Sequence, residues 1–141
     1  MSHLIAICGS MSFVDAMEDL SARLQTLGYT VEIPRRGEES IDWESPDRRK
    51  LGKLKQRFID DHLGKIREAD AVLIANYEKH GTPGYVGPNT LMEAAFGYAL
   101  DIPVVLLFEP DDQPCALELI GIASLVLDGK IQKLADLWSD A

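Results

Sequence analysis

At 141 residues, 46% hydrophobic and 26% charged, the chain has the size and composition of one soluble globular domain spanning 1–141. Its net charge of −9 excludes a general nucleic-acid binder, which needs a basic surface. No apolar run approaches the roughly 18 residues of a membrane span, so no membrane partner is expected.

Leu4 to Cys8 is a short apolar run closed by Gly9-Ser10, the pattern of a buried strand and turn. It is too short for a secretory leader. Two cysteines, Cys8 and Cys115, make neither a disulfide framework nor a metal spacing, so a cytoplasmic protein with reduced thiols is expected. Phe13 to Leu27 places Phe13, Met17, Leu20, Leu24 and Leu27 at spacings of three and four, an amphipathic helix stopped by Gly28. Tyr29 to Ile33 reads as a second strand.

Residues 38–46 lack periodicity and read as a loop. Between Pro34 and Arg57 lie eight basic residues (Arg35, Arg36, Arg48, Arg49, Lys50, Lys53, Lys55, Arg57) against five acids, net +3 on an acidic protein. This is either a patch for a small phosphorylated ligand or a solvated helix face of mixed charge. Helical spacing returns from Asp47 to Ala69 through Leu51, Leu54, Phe58, His62 or Leu63, and Ile66.

Ala71 to Ala75 is a third strand, ending at Asn76. Tyr77 to Pro88, with three glycines and two prolines, predicts a long, mobile loop. Thr90 to Leu100 is helical, Ile102 to Phe108 a fourth strand, Pro114 to Ile120 a short helix and Ser124 to Leu127 a fifth strand. Ile131 to Trp138 closes the chain as an amphipathic helix.

Apolar strands alternating with amphipathic helices imply a parallel sheet covered on both faces. Ligands of such sheets bind beyond the strand carboxyl ends. That rule selects Gly9, Ser10, Met11, Asn76, the 77–88 loop and the start of the following helix. It sets aside Asp70, which precedes the third strand.

Within the selected region, Glu93 stands in the first turn of the helix read from Thr90 to Leu100. Thr90-x-x-Glu93 fits a capping box, so the carboxylate is either a cap or a reactive group aimed into a cleft. Neither G-x-G-x-x-G nor a Walker sequence is present, which disfavours dinucleotide oxidoreductases and nucleoside triphosphatases. G-x-S-x-G is absent too, and the three histidines are scattered, proposing no metal site. No cofactor or metal is expected. A carboxylate beside hydroxyl and amide groups suits glycosyl transfer through an oxocarbenium-like transition state.

Three segments carry a resemblance: Ile7-Cys8-Gly9-Ser10, Phe58 to His62 with Ile66 to Asp70, and Asn89 to Ala99. In these the chain resembles the nucleoside 2-deoxyribosyltransferase-like superfamily, which includes deoxynucleoside monophosphate N-glycosidases. It looks closest to a subgroup carrying Tyr-Val/Ile-Gly-x-Asn-Thr-x-x-Glu. The Thr-x-x-Glu element is also similar to that of phosphoribohydrolases of the lysine-decarboxylase-like group, whose glycine-rich sequence is not present.

The resemblance implies an α/β, flavodoxin-like three-layer sandwich around a five-stranded parallel sheet. It implies that Glu93 is the nucleophile on the anomeric carbon of a (deoxy)nucleoside or its 5′-monophosphate. By the same resemblance Gly9 and Ser10, with Met11 beside them, line the sugar or phosphate site. Asn76, Gly87, Asn89 and Thr90 fall near the same cleft, and Tyr85 covers the base or packs on the surface.

The implied partners are a small-molecule nucleoside or nucleotide and further copies of the chain. Three positions depart from the family: Gly87 and Asn76 replace acids, and His62 replaces an acid on the preceding helix. Hence two other readings stay open, a nucleotide-binding or sensing module without catalysis and a scaffold in which Glu93 only caps its helix.

Overall fold

The structure is a computed structural model that describes residues 2–34 and 41–139. Arg35, Arg36, Glu38 and Glu39 of the mixed-charge stretch lie outside the described residues. Strands form at Leu4–Cys8 (β1), Thr30–Glu32 (β2), Ala71–Ile74 (β3), Val104–Leu106 (β4) and Leu125–Val126 (β5), and all but the edge strand β2, Thr-Val-Glu, are continuous apolar runs. All pair in parallel, in the order β2-β1-β3-β4-β5. This is the flavodoxin-like α/β arrangement expected. Its strand order reverses between β1 and β3, where open sheets of this kind form their ligand crevice.

Among the described residues, four α-helices cover the sheet: Val14–Thr26 (α1), Arg48–Arg67 (α2), Pro88–Ala99 (α3) and Ala116–Ile122 (α4). Strand alternation splits the core into two layers. On one face Ile5, Ile7 and Leu73 pack with Met17, Leu20 and Leu24 of α1 and with Ile131 and Leu134. On the other, Ala6, Cys8, Val72 and Ile74 pack with Ile66 of α2, Ala94 of α3 and Leu119 of α4. Cys8 therefore faces the α2–α3 layer.

Several boundaries differ from expectation for local reasons. α1 ends at Thr26, so Leu27 falls outside it and is 46% exposed instead of joining the core. Residues Ile131–Trp138 wind as 3-10 turns instead of an α-helix, and residues three apart share a face in such turns, as buried Ile131 and Leu134 do. His3 stacks on Trp138 at 3.8 Å between ring centres, anchoring this end to the start of β1. Asp70 stays at the amino end, where its carboxylate accepts from the Leu4 amide at 2.7 Å.

The largest correction concerns α3. Pro88, with φ preset and no N–H to satisfy, takes the first helical position, and Gly87 is the cap residue. The helix thus starts two residues before Thr90. Thr90 is its buried third residue, and Glu93 lies beyond the first turn. No capping box forms, and the reading of Glu93 as a cap loses its basis.

Candidate functional site

A cavity of about 940 Å³ opens at the carboxyl end of β1, walled by α2, the start of α3 and the 77–88 loop. The β1 turn contributes Gly9, Ser10, Met11 and Ser12. The loop contributes Lys79 and Tyr85, and α2 brings Lys55, Phe58 and His62. From α3 and its cap come Gly87, Asn89, Thr90 and Glu93. Of the expected site residues, all but one meet on this surface.

Asn76 is the exception. It is buried, and its carboxamide donates to the Phe108 carbonyl at 2.7 Å while accepting from the Phe108 amide at 3.0 Å. Both functional ends of the side chain are engaged by backbone, and the residue is not on the cavity wall. The position that would hold an acid by resemblance is a clamp between β3 and the end of β4.

The 77–88 loop is also tied down rather than loose. Lys79 and Thr82 exchange backbone hydrogen bonds at 3.2 and 3.0 Å around His80 and Gly81. The Tyr85 amide donates to the Tyr77 carbonyl at 3.1 Å. Gln113 accepts from the Val86 amide at 3.0 Å and donates to the Gly84 carbonyl at 2.9 Å. Gly84 has φ of 68°, and a Cβ there would collide with the Glu109 carbonyl.

Polar groups gather at two ends of the cavity. At the first, Lys79 Nζ donates to Ser10 Oγ at 3.2 Å, and the Ser10 and Ser12 hydroxyls lie 2.8 Å apart. Lys79 Nζ also sits 5.4 Å from the Tyr85 ring centre. Of the described basic residues between 41 and 57, only Lys55 lines the cavity, 5.0 Å from the Trp43 ring. The described part of the mixed-charge stretch is therefore largely a solvated helix face, and the second cation of the site is Lys79.

At the other end the half of the site that spacing did not reveal comes together. His62 Nε2 lies 3.0 Å from the Ile7 carbonyl, 3.3 Å from Cys8 Sγ and 3.3 Å from Glu93 Oε2. A carbonyl can only accept, so Nε2 carries the proton and Nδ1 does not. Nδ1 is buried without a hydrogen-bond partner. Burial, with Lys65 nearby, lowers the His62 pKa to about 4, so the ring is neutral. Burial raises the Glu93 carboxyl to about 8. The Cys8 thiol is pushed well up by burial and then by Glu93.

Helical spacing explains the convergence: His62 is one turn before Ile66 on the buried face of α2, and Cys8 shares its strand face with Ala6. Ligand atoms of Cys8, His62 and Glu93 lie within 4.8 Å of one another, a donor set that the scattered histidines did not suggest. A cation on Nε2 would require the proton on Nδ1, where no acceptor stands. The hydrogen bonding thus favours a proton-bearing Nε2 over a metal-bound one.

No protein-family model matches the sequence, and no curated protein does. Among solved structures, the chain is similar to the 2-deoxyribosyltransferase of Bacillus psychrosaccharolyticus, described as a biocatalyst for synthesis of antiviral and antitumoral nucleosides. The two share 19% identity over 87% of this chain and 84% of that one, with a TM-score of 0.61. The likeness is one of fold. A 3-dehydroquinate dehydratase-like protein of Bifidobacterium longum matches at 13% identity, over 89% of this chain and 82% of that one. Its TM-score of 0.36 carries no argument.

Proposed function

We propose that the protein is an N-glycosidase or 2-deoxyribosyltransferase that cleaves the N-glycosidic bond of a (deoxy)nucleoside or its 5′-monophosphate, with Glu93 as nucleophile. One observation carries this reading: a half-buried carboxyl lines a cavity at the switch point of a fold shared with a 2-deoxyribosyltransferase. An ionised Glu93 oxygen bonds to the anomeric carbon as the carbon–nitrogen bond breaks, its electron pair leaving with the base. The ester formed is released when water, or the nitrogen of a second base, attacks the same carbon.

Ser10, Ser12 and Lys79 form the polar end suited to a sugar hydroxyl or a 5′-phosphate. Tyr85 offers a ring to the base, and Asn89 and Thr90 lie at the amide-bearing start of α3. The reading includes a cytoplasmic setting and a homo-oligomer. For the latter, Met92 and Tyr98 of α3 and Leu117 and Ile120 of α4 are large exposed apolar side chains on neighbouring helices. Among the described residues no helix is long and apolar enough to cross a membrane.

One observation favours a second reading, a nucleotide-binding module without turnover. With its pKa at about 8, Glu93 is mostly protonated at neutral pH and is then no nucleophile. Incubation with ribo- and deoxyribonucleosides and their 5′-monophosphates, followed by chromatography for free base, separates the two. Base release that falls on the order of 10³-fold in Glu93→Gln establishes the enzyme. Sugar found on an added acceptor base makes it a transferase. Tight binding of a panel member without release, unchanged in Glu93→Gln, establishes the module.

A further inference from the structure

We propose that His62 is a positioning residue for Glu93: its neutral imidazole shares Nε2–H between the Ile7 carbonyl and Glu93 Oε2, fixing which carboxylate oxygen is left to meet the sugar. The kinetic part of this inference rests on the glycosidase reading of Glu93.

Pairing of β1 with β2 ends at Ala6↔Glu32, and the Ile7 carbonyl beyond it is met by His62 Nε2 at 3.0 Å. One turn further along α2, Lys65 Nζ donates to the Ile33 carbonyl at 2.9 Å. Two α2 side chains thus meet the backbone of the two strands where their pairing stops, and the imidazole is anchored to strand backbone. From that anchored ring, Glu93 Oε2 is 3.3 Å away.

Among the described residues, the lysines on either side of the pair bond elsewhere. Lys65 is turned to Ile33 and to Asp61, 3.5 Å away, and Lys79 donates to Ser10 at the other end of the cavity. Cys8 offers a thiol at 3.3 Å from the imidazole, a weak donor at most. A second proton on His62 would go to Nδ1, which has no acceptor, so the ring gives Glu93 a hydrogen bond without a full positive charge. That distinction matters chemically. Charge leaves the carboxylate as the glycosyl ester forms, so a cation would stabilise the ground state more than the transition state, whereas a neutral donor holds the group at less cost to reactivity.

Two variants test the assignment. His62→Gln keeps a side-chain N–H of similar reach, and His62→Leu keeps volume without a donor. Carbon-13 NMR of the Glu93 carboxyl, identified by its loss in Glu93→Gln, gives the titration midpoint in each protein. Steady-state base release gives kcat and KM. We expect His62→Leu to move the midpoint up by about one pH unit, a roughly tenfold change in the protonation equilibrium, with His62→Gln within about half a unit of wild type.

In turnover, His62→Leu should lower kcat on the order of 10²-fold with KM changed less than about threefold, and His62→Gln should recover most of the loss. A wild-type midpoint in His62→Leu overturns the proposal. So does an equal kcat loss in both variants accompanied by an equal fall in Tm, which would make His62 a packing residue. If no substrate is turned over by the wild type, the glycosidase reading fails on its own, and the NMR midpoints still decide the contact.

Discussion

Asn76 and Phe108 bond each other twice, the carboxamide Nδ2 donating to the Phe108 carbonyl at 2.7 Å and Oδ1 accepting from the Phe108 amide at 3.0 Å. In this pose the side chain stands in for a strand peptide and carries the β3–β4 pairing past Ile74↔Leu106. An acid here is not equivalent. In Asn76→Asp the carboxylate still accepts from the amide but faces the carbonyl with no proton between them. A loss of about 2 kcal/mol at neutral pH is expected.

Protonation restores the missing donor, so the folded-state pKa of the new carboxyl is raised. Its contribution is therefore present at low pH and lost as pH rises through that value. Denaturant titrations at about pH 4.5 and 7.5 should show a smaller deficit at the lower pH. An equal deficit at both would refute the clamp.

Gly9 is fixed by close approach instead of by backbone conformation. A Cβ there would lie 2.9 Å from Met17 Sδ and 3.2 Å from the Ala75 carbonyl. The thioether can yield, but the carbonyl belongs to the segment leaving β3. Gly9→Ala should cost about 1–3 kcal/mol, read as a fall in the urea midpoint at constant m-value. An unchanged midpoint would mean that β1 and β3 separate freely at their carboxyl ends.

These residues show what was legible in the chain and what was not. β1 runs from Leu4 to Cys8 as read, because a fully buried strand leaves a continuous apolar run with no polar face to blur its ends. The short strands β4 and β5 were overextended by apolar residues that pack outside the ladder, such as Phe108. Thr90 and Glu93 fitted a capping box, yet Pro88 starts the helix earlier, and a three-residue spacing alone does not say which residue is the cap.

Asn76 fell at the correct end of β3, but position along a strand does not determine whether a side chain turns to a cavity or to a neighbouring backbone. The contact of His62 with Glu93 depends on how α2 and α3 pack, so no local pattern announced it. Its traces were the helical period running back from Ile66 and the place of His62 where the resemblance expects an acid.

Under the proposed function, a Lys79 variant tests whether the ligand is a nucleoside or its 5′-monophosphate. Its ammonium group is held beside Ser10 and Ser12 by a 3.2 Å hydrogen bond, making a cation with two hydroxyls at one end of the cavity. If that end receives a phosphate, Lys79→Ala should weaken binding of a monophosphate roughly 10- to 100-fold, the effect of losing one charge-assisted hydrogen bond. Binding of the parent nucleoside should change less than about threefold. Calorimetric titration with both ligands reads this directly, and equal losses would assign Lys79 to positioning Tyr85, whose ring it overlies at 5.4 Å.

Glu93 and His62 set opposing slopes in the pH dependence of stability. The imidazole's pKa falls from 6.5 in the unfolded chain to about 4, so between those values the unfolded state binds more protons and stability rises with pH. The Glu93 carboxyl moves from 4.5 to about 8, so from 4.5 upward the folded state binds more protons and stability falls. The two slopes cancel between about 4.5 and 6.5, and above 6.5 the falling slope from Glu93 is left. At 1.36 kcal/mol per unit this predicts a net loss of about 2 kcal/mol between pH 6.5 and 8.

Denaturant titrations across this range should show that loss in the wild type. Glu93→Gln, which carries no ionisable group there, should remain level above pH 6.5 and exceed the wild type at pH 8. If wild type and variant instead run parallel, Glu93 is already ionised in the folded protein at neutral pH. A base-release rate limited by the carboxylate would then show no rise toward pH 8. If Glu93 is the nucleophile, the rate and the stability measured on the same samples should turn at one common pH, because one proton on that carboxyl then controls both.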